Sequence, residues 1–254
     1  MLENKKIAIF NVANKKSIAW AIAQSVLNFG GEVIIGYQNE RFKENVEELI
    51  KDLPKKPFIV ECDVSDDKNI EKTVEEIEKN VGNIDGLVHS IAFAPTEALR
   101  SPFIETSREA FKVAMEISVY SFIAMCRAFK RIMNPSSSII TLTYYGAEKV
   151  IPNYNIMGVA KSALESSVRY LAYELGESNI RVNAISAGPL NTLAARGISR
   201  FTDILEYYKE RAPLKRNIEH IEVGNTASFL LSDLSSGITG EIIYVDAGYN
   251  IMGV

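Results

Sequence analysis

Short apolar runs rich in β-branched residues alternate along the chain with stretches of helical periodicity. Runs of this length and composition are typical of β-strands, and their nearly continuous apolarity predicts that both faces of the strands are buried. We predict seven strands, at Ile7–Phe10, Glu32–Ile35, Phe58–Val60, Gly86–Val88, Ser138–Leu142, Ile180–Ile185 and Glu241–Val245.

The segment between the first two strands has the apolar stripe of an amphipathic helix. The stripe runs from Ile18 to Phe29, and Gly30 and Gly31 supply a C-terminal stop. Further helical stretches are predicted at about residues 46–53, 70–81, 107–133 and 154–177. This alternation predicts an α/β fold with a Rossmann-like, doubly wound parallel sheet of about seven strands and helices on both faces. Because no Pro/Gly/Ser-rich linker interrupts the chain, we expect one domain over residues 1–254.

Composition and charge narrow the function classes. The 254 residues are 47% hydrophobic and 24% charged, and the net charge is −4 without a run of basic residues, so no nucleic-acid partner is expected. The two cysteines and two histidines lack metal-ligand spacing, so we expect metal-free chemistry unless carboxylates hold a metal. No stretch has the length of a signal peptide's apolar region or of a membrane span, and we expect a cytoplasmic protein with no membrane partner.

Ligands of a doubly wound sheet bind outside the carboxyl ends of the strands. The loop that follows the first strand, residues 11–19, lacks the glycines of a dinucleotide-binding fingerprint. Asn11 tolerates the left-handed backbone conformation, Ala13 is small enough to admit a pyrophosphate, and Ser17 is expected to cap the next helix, where anions bind. From this loop alone, an ordinary capped turn explains the same residues equally well.

The ends of the second and third strands bear on the choice of cofactor. Gln38 stands where an adenosine ribose would bind and offers no charge to a 2′-phosphate, which favours NADH over NADPH. Arg41 and Lys43 lie close enough in sequence to weaken that preference, and a plain surface turn is the alternative interpretation. Asp63 beside Val64 suits an adenine, although Asp63 taken alone is more typical of a helix cap.

Tyr154 and Lys161 are seven residues apart in a predicted helix. Nearly two turns separate them, so we expect both side chains on one face with their backbones roughly 10 Å apart. An ammonium near a phenol lowers the pKa of the phenol and strengthens it as a donor to a developing oxyanion. The same spacing also arises by chance on amphipathic helices. Tyr144, after a buried strand, adds a second phenol at the same edge of the sheet.

Several segments spread along the chain add a likeness to a known family. They are Ser17–Ala19, His89–Pro95, Tyr144–Lys161, Asn183–Pro189 with Thr192–Ala195, and Thr239–Glu241 with Val245–Asp246. Together they closely resemble the bacterial enoyl-acyl-carrier-protein reductases of the short-chain dehydrogenase/reductase superfamily, nearly from end to end. The spacing Tyr-x6-Lys with a tyrosine ten residues upstream is specific to that branch. Most ketone reductases of the superfamily have Tyr-x3-Lys, which would require a tyrosine in place of Met157.

The longer spacing suits hydride addition to an enoyl thioester. A ketone reductase needs its acid beside the carbonyl carbon that receives the hydride. An enoyl thioester instead accepts hydride at the β-carbon and develops charge on a more distant oxygen. A tyrosine moved one turn along the helix, by roughly 4.5 Å, keeps its face and brings its hydroxyl towards that oxygen. The sequence therefore favours 1,4-reduction over 1,2-reduction.

The resemblance implies roles for individual residues. Tyr154 would donate a hydrogen bond to the enolate oxygen, Lys161 would hold the nicotinamide ribose of NADH and bias Tyr154 electrostatically, and Tyr144 would line the acyl site. Family members usually have glycine where Asn11 stands and often where Ala92 stands. Besides Lys161, the implied cofactor residues are Asn11, Ser17, Ile18, Gln38, Asp63, Val64, Ser90, Ile91, Leu190, Thr192 and Ala194, and the implied substrate residues are Ala94, Leu99, Met157 and Phe201.

The resemblance also implies partners. Acyl carrier protein would deliver the enoyl thioester. The residues themselves, apart from the resemblance, favour a helical segment at about 190–213 that covers the acyl chain and receives the acidic carrier through its basic side chains, although a solvated helical pair is the alternative. The basic residues of this segment are Arg196, Arg200, Lys209 and Arg211. A homotetramer is implied as well, with the two long helices at an interface. Its apolar residues are expected to include Ile117, Phe122, Val168, Leu171 and Leu175, unless these are simply buried in the monomer.

Two other function classes stay open from the sequence. One is a carbonyl reductase of the same superfamily, in which Thr141, thirteen residues before Tyr154, supplies a catalytic hydroxyl. The other is a non-catalytic nucleotide-binding protein, for which the glycine-free first loop is the best support. Turnover of an enoyl thioester beside a β-ketoacyl thioester would separate the three classes.

Overall fold

Seven parallel strands form one sheet in the computed structural model, which describes residues 1–192, 195 and 201–253. The strand order is β3-β2-β1-β4-β5-β6-β7. Strands β2 and β3 therefore lie on one side of β1 and strands β4 to β7 on the other, so the strand order reverses between β1 and β4. This confirms the predicted doubly wound parallel sheet. The strands are β1 Lys6–Phe10, β2 Glu32–Tyr37, β3 Phe58–Glu61, β4 Ile84–His89, β5 Met133–Thr143, β6 Arg181–Ala187 and β7 Ile242–Val245.

Helices follow nearly every strand, as right-handed crossovers require. They are α1 Ile18–Asn28, α2 Glu40–Ile50, α3 Asp67–Asn80, α4 Thr96–Arg100, α5 Arg108–Met115, α6 Ser121–Phe129, α7 Ile156–Gly176, α8 Phe201–Arg211 and α9 His220–Leu231. A π-helical turn, Glu116–Tyr120, joins α5 to α6. Short 3₁₀ turns occupy Phe103–Glu105, Lys130–Ile132, Tyr145–Ala147, Asp233–Ser235 and Tyr249–Ile251. None of the helices that the structure describes is long and apolar enough to cross a membrane.

Side chains that alternate along each strand pack into two separate cores. In β1, Ile7 and Ile9 face a core closed by α1, α2 and α9, whereas Ala8 and Phe10 face a core closed by α3, α6 and α7. Both faces of the sheet are therefore covered, which explains why the strands read as almost continuous apolar runs. With helices on both faces, the carboxyl ends of the strands form the open edge where a ligand can enter.

The end of α1 shows how the glycine pair stops a helix. The Gly31 N–H donates to the Val26 carbonyl at 2.9 Å and the Gly30 N–H to the Leu27 carbonyl at 3.0 Å. Gly30 has a φ of +86°, the left-handed conformation that this C-terminal motif needs. The predicted stop is confirmed, and the chain turns directly into β2.

The long helices bury the apolar residues that we expected at an oligomer interface. Phe122 and Val168 are fully buried, and Leu171 and Leu175 are nearly so, all in the core between the sheet and its helices. Ile117 is half-buried against the same core. The inference of a subunit interface from these residues is therefore wrong, because one face of the sheet and its neighbouring helices cover them within a single chain.

Candidate active site

A cavity of about 360 Å³ opens at the carboxyl ends of the first four strands. Its wall combines polar groups after β1, β2 and β3 with apolar side chains after β4. Five of the residues predicted to bind the cofactor line it: Asn11, Gln38, Asp63, Val64 and Ile91. Cys62 and Ala92 complete the same wall, and burial raises the pKa of the Cys62 thiol to about 11, so this thiol stays neutral.

The glycine-free loop after β1 closes through side chains. Asn11 has a φ of +68°, and its Nδ2 donates to the Ser90 carbonyl at 2.8 Å, so it bridges the ends of β1 and β4. The Ser17 hydroxyl accepts from the N–H groups of Ala13, at 3.1 Å, and Asn14, at 3.0 Å. Ser17 occupies the N-cap position of α1 without capping it. The expected cap is therefore wrong, since the hydroxyl fastens the loop instead and Ile18 begins the helix.

Asp63 is likewise not a helix cap. Its Oδ1 accepts from the Ser65 N–H at 3.0 Å and from the Ser65 hydroxyl at 2.8 Å. The cap of α3 is Asp66, which accepts from the Lys68 N–H at 2.9 Å. Asp63 is thus held at the cavity by its own turn rather than by a helix.

Three of the four predicted substrate residues pack together with the two tyrosines. Ala94, Leu99, Met157 and Tyr154 belong to one buried apolar cluster, and Tyr144 packs against it. Ser118 fastens the loop that carries Ala94. Its hydroxyl donates to the Phe93 carbonyl at 3.1 Å and accepts from the Phe93 N–H at 3.0 Å.

The residues predicted after β6 lie elsewhere. Leu190 is buried and lines a second cavity of about 580 Å³ between the first loop, α8 and the start of α9. The Thr192 hydroxyl accepts from the Ala195 N–H at 3.1 Å. Phe201 is the first residue of α8, half-buried and outside the cluster around Tyr154. Ala194, and with it the arginines Arg196 and Arg200, lies outside the described residues.

Tyr154 precedes α7 instead of lying on it. It stands in a turn, and Asn155 at the N-cap position has a φ of 43°. The Asn155 side chain donates to the Ser101 carbonyl at 2.9 Å, which anchors this turn to the end of α4. The prediction that Tyr154 and Lys161 share one face of a helix is therefore wrong. The turn, not the helical rise, decides where the phenol lies.

Burial dominates the chemistry of both phenols. Burial, and then the neighbouring Tyr144 and Glu165, raises the pKa of Tyr154 well above its usual value. Burial likewise raises the pKa of Tyr144 to about 12. The two rings meet edge to face with their centroids 5.0 Å apart. The expected lowering of the Tyr154 pKa is therefore wrong, and both tyrosines are neutral hydrogen-bond donors at physiological pH.

Lys161 lies at the base of this site. Its Nζ donates to the Leu142 carbonyl at 2.7 Å, at the end of β5, and only 6% of the residue is exposed. Burial lowers the pKa of the Lys161 ammonium to about 8, opposed by the charge of Glu165 one turn further along α7. Glu165 is 7% exposed and accepts from the Thr143 hydroxyl at 2.7 Å. Leu142 and Thr143, the last two residues of β5, thus hold Lys161 and Glu165.

Three residues of this site escaped the sequence reasoning. Glu165 follows Lys161 by one helical turn, and that spacing is a signal that could have found it. Gly146 has no side chain to signal a role, although it packs directly against the Tyr154 ring. Tyr208, whose hydroxyl lies 3.2 Å from that of Tyr144, comes from α8 and gave no signal.

The structure does not support the two alternative functions, a carbonyl reductase and a non-catalytic nucleotide-binding protein. The Thr141 hydroxyl is fully buried and pairs with the carbonyl of His89 at 3.2 Å and with its Nδ1 at 3.0 Å. It therefore serves the sheet and cannot act as a ketone reductase's hydroxyl beside Tyr154. Burial, reinforced by the charge of Lys161, lowers the pKa of His89 to about 3, so His89 is not a base at neutral pH. The glycine-free loop adopts the left-handed conformation at Asn11 that a glycine would supply.

Comparisons with known proteins agree with one another. The family model described as enoyl-(acyl carrier protein) reductase matches residues 12–250. The chain is 48% identical over 254 residues to the NADH-dependent enoyl-[acyl-carrier-protein] reductase FabI of Bacillus cereus, covering 100% of this chain and 99% of that one. It is 49% identical over 250 residues to the NADPH-dependent FabI of Staphylococcus aureus, covering 98% of each.

Solved structures show the same likeness. The crystal structure of the Bacillus cereus enoyl-acyl carrier protein reductase with NADP⁺ and indole naphthyridinone has a TM-score of 0.98 at 47% identity and covers 100% of both chains. That of the NADH-dependent enoyl-[acyl-carrier-protein] reductase from Aquifex aeolicus has a TM-score of 0.96 at 47% identity, covering 100% of this chain and 99% of that one.

Proposed function

The chain belongs to the enoyl-(acyl carrier protein) reductase family, and we propose that it reduces the trans-2 double bond of enoyl thioesters with hydride from NADH, in fatty acid biosynthesis. The observation that carries this proposal is the pair of phenols, with Tyr154 buried in an apolar cluster and the half-buried Tyr144 packed against it, next to the end of β5 where the buried Lys161 is held. Such an arrangement suits a substrate that is apolar except for one oxygen that becomes negative.

The cavity at the strand ends fits a dinucleotide. Gln38 and Asp63 supply polar groups for ribose and adenine, Val64 and Ile91 supply apolar walls, and Asn11 lets the backbone approach closely at its positive φ. Lys43 is paired with Glu40 at 3.0 Å on the exposed surface, so a 2′-phosphate would have to compete with that carboxylate for the ammonium. When bound, NADH supplies the hydride for the substrate's β-carbon. This donor set favours NADH over NADPH.

Tyr154 acts as the donor to the thioester oxygen. Reduction at the β-carbon moves negative charge onto that oxygen, and a neutral phenol in an apolar pocket stabilises the charge more than it stabilises the uncharged substrate. Its raised pKa keeps the proton on Tyr154 until that charge develops. Tyr144, edge to face with Tyr154, lines the same oxygen's side of the acyl site.

Lys161 holds the nicotinamide ribose and adds positive charge beneath the site. An ammonium has three N–H donors, and the Leu142 carbonyl takes one of them. The others can donate to ribose hydroxyls. Glu165 opposes the effect of burial on the pKa of Lys161 and so helps to keep the ammonium charged at neutral pH.

The carrier, the assembly and the location complete the proposal. Acyl carrier protein bearing the enoyl thioester is the substrate carrier, and residues 190–213 cover the acyl chain.

A homotetramer is supported by apolar side chains on the outer faces of α5 and α7, since Phe111 is 44%, Tyr170 71% and Tyr173 82% exposed. Light scattering of the wild type and of a Tyr170→Glu, Tyr173→Glu variant tests this, and a wild-type monomer at micromolar concentration would refute it. The cytoplasmic location stays a prediction from the sequence.

A steady-state assay tests the proposed reaction. Crotonyl thioester with NADH should be turned over, whereas a β-ketoacyl thioester should not. Tyr154→Phe removes only the donor, so kcat should fall by roughly 100- to 1,000-fold with NADH affinity nearly intact. Lys161→Ala should weaken NADH binding and turnover together. Full activity of Tyr154→Phe on an acyl-carrier thioester would overturn the role of Tyr154, and preference for the β-ketoacyl thioester would overturn the reaction.

A further inference from the structure

A third tyrosine reaches the phenol pair from the helix that follows the segment at 190–200. Tyr208 lies on α8, only 3% exposed, and its hydroxyl donates to the Tyr144 hydroxyl oxygen at 3.2 Å. Tyr144 in turn meets the Tyr154 ring edge to face. A continuous contact path therefore runs from α8 through two side chains to the donor of the proposed reaction.

The Tyr208 ring is fixed by an aromatic platform. It stacks on Tyr249 with the centroids 3.7 Å apart and the planes 18° from parallel. Tyr249 meets Tyr145 edge to face at 5.9 Å, and Tyr145 directly follows Tyr144 in the chain. Asp246 holds the turn beneath Tyr249 by accepting from the N–H groups of Gly248, at 2.9 Å, and Asn250, at 2.7 Å. These contacts hold the Tyr208 ring, and with it the Tyr208 hydroxyl, in place.

The direction of the hydrogen bond matters for Tyr144. Because Tyr208 donates, the oxygen of Tyr144 is the acceptor and the Tyr144 proton is left for another partner. A hydroxyl that accepts one hydrogen bond becomes a stronger donor of the next. Burial raises the pKa of Tyr208 far above its usual value, so its proton stays in place at physiological pH.

We propose that Tyr208 is a positioning residue for the reduction: its hydroxyl fixes the orientation of the Tyr144 hydroxyl and couples the placement of α8 to the phenol pair. The proposal rests on the proposed enoyl reduction and adds to it a residue that acts through Tyr144 alone. The placement of α8 is thereby a condition for a correctly oriented Tyr144.

A double-mutant cycle in the full-length protein tests the coupling. Tyr208→Phe keeps the stacked ring and removes one oxygen, so kcat for crotonyl thioester should fall about fivefold, the worth of one neutral hydrogen bond, with KM for NADH unchanged. In the Tyr144→Phe background the same substitution should change kcat by less than about twofold, because the acceptor is gone. Tyr120→Phe is the control: it also removes a hydrogen-bonded hydroxyl, which donates to Asp67 at 2.9 Å on the surface, and it should leave kcat unchanged.

Several outcomes would overturn the coupling. An unchanged kcat in Tyr208→Phe, an equal loss in both backgrounds, or a rise in KM for the thioester alone would each show that Tyr208 merely packs. The free energies of unfolding of the four proteins provide a second cycle that does not depend on turnover, and additive values there would refute the hydrogen bond itself. If the wild type failed to reduce the enoyl thioester while the unfolding cycle was non-additive, the proposed function would fall and the contact would stand.

Discussion

Gly146 makes room for the Tyr154 ring, and an alanine there should displace the phenol. A Cβ atom on Gly146 would lie 2.5 Å and 2.9 Å from two ring carbons of Tyr154 and 3.4 Å from a ring carbon of Tyr144. Since carbon atoms pack at about 3.5–4.0 Å, the Tyr154 ring must move by roughly 1 Å. It cannot swing away freely, because the residue is 9% exposed and the Tyr144 ring packs edge to face against it.

A shift of this size should lower the reaction rate strongly, because the hydrogen-bond donor would no longer be aligned with the developing negative charge. A 1 Å misplacement costs on the order of 100-fold in rate, or about 2.7 kcal/mol of transition-state stabilisation. We expect Gly146→Ala to lower kcat by up to that factor while the Kd for NADH, measured by fluorescence titration, stays within about twofold.

Gly176→Ala is the matched control, because a Cβ there meets nothing within 4 Å and the position is in the last turn of α7. It should leave kcat unchanged and preserve or slightly raise the unfolding free energy. Equal kcat values for Gly146→Ala and Gly176→Ala, with both proteins folded, would refute the inference that the ring position limits turnover.

The remaining predictions concern charge, backbone and cofactor. Lys161 is charged below its pKa of about 8 and neutral above it, so kcat/KM should fall as pH rises through about 8. Glu165→Gln removes the charge that raises this pKa and should move the fall in kcat/KM to lower pH. An unchanged pH profile would contradict the electrostatic effect of Glu165 on Lys161. Asn11→Gly keeps the positive φ and should bind NADH within a few-fold of the wild type, whereas Asn11→Val should lose at least tenfold in a fluorescence titration, since a β-branched residue is strained there. NADH should give a higher kcat/KM than NADPH, and Glu40→Gln, which releases Lys43, should narrow the difference; a wild-type preference for NADPH would show that the phosphate is met by Arg41 or Lys43.

The fold was predictable because its signals are local and repeated. Every predicted strand occurs in the sheet, and β5, which starts at Met133, is the one that extends furthest beyond its apolar run. Between Met133 and the apolar run the strand is mostly polar, yet Ser137 is buried there and its hydroxyl donates to the Ile84 carbonyl at 3.3 Å, so polarity concealed this part of the strand. Short-range patterns identify elements well but do not report hydrogen bonds made to distant parts of the chain.

The site was less predictable, because its groups are positioned by tertiary contacts. Ser17 has the sequence of a helix cap, yet two loop N–H groups reach its hydroxyl first. The pKa of Tyr154 depends on how deeply the phenol is buried, which the spacing to Lys161 does not reveal. Tyr208 comes from a different helix, and nothing in the spacing between residues 144 and 208 indicates that their hydroxyls meet.

The turn before α7 gives the long Tyr-x6-Lys spacing a different physical meaning from the helical one. Lys161 stays on the helix and is tied to the sheet through the Leu142 carbonyl. Tyr154 does not follow the helical register, and its position is set by the Tyr144 ring and the backbone of Gly146. The backbone of Gly146 also packs closely against α7, because a Cβ on Gly158 would lie 2.8 Å from the Gly146 carbonyl oxygen. The phenol is therefore positioned by the cluster that contains Leu99 and Met157, two of the predicted substrate residues, while the ammonium is positioned by the end of β5. A shorter spacing would bring the tyrosine onto α7 and bind both groups to one rigid helix, so that the donor could no longer be placed independently for an oxygen distant from the carbon that receives hydride.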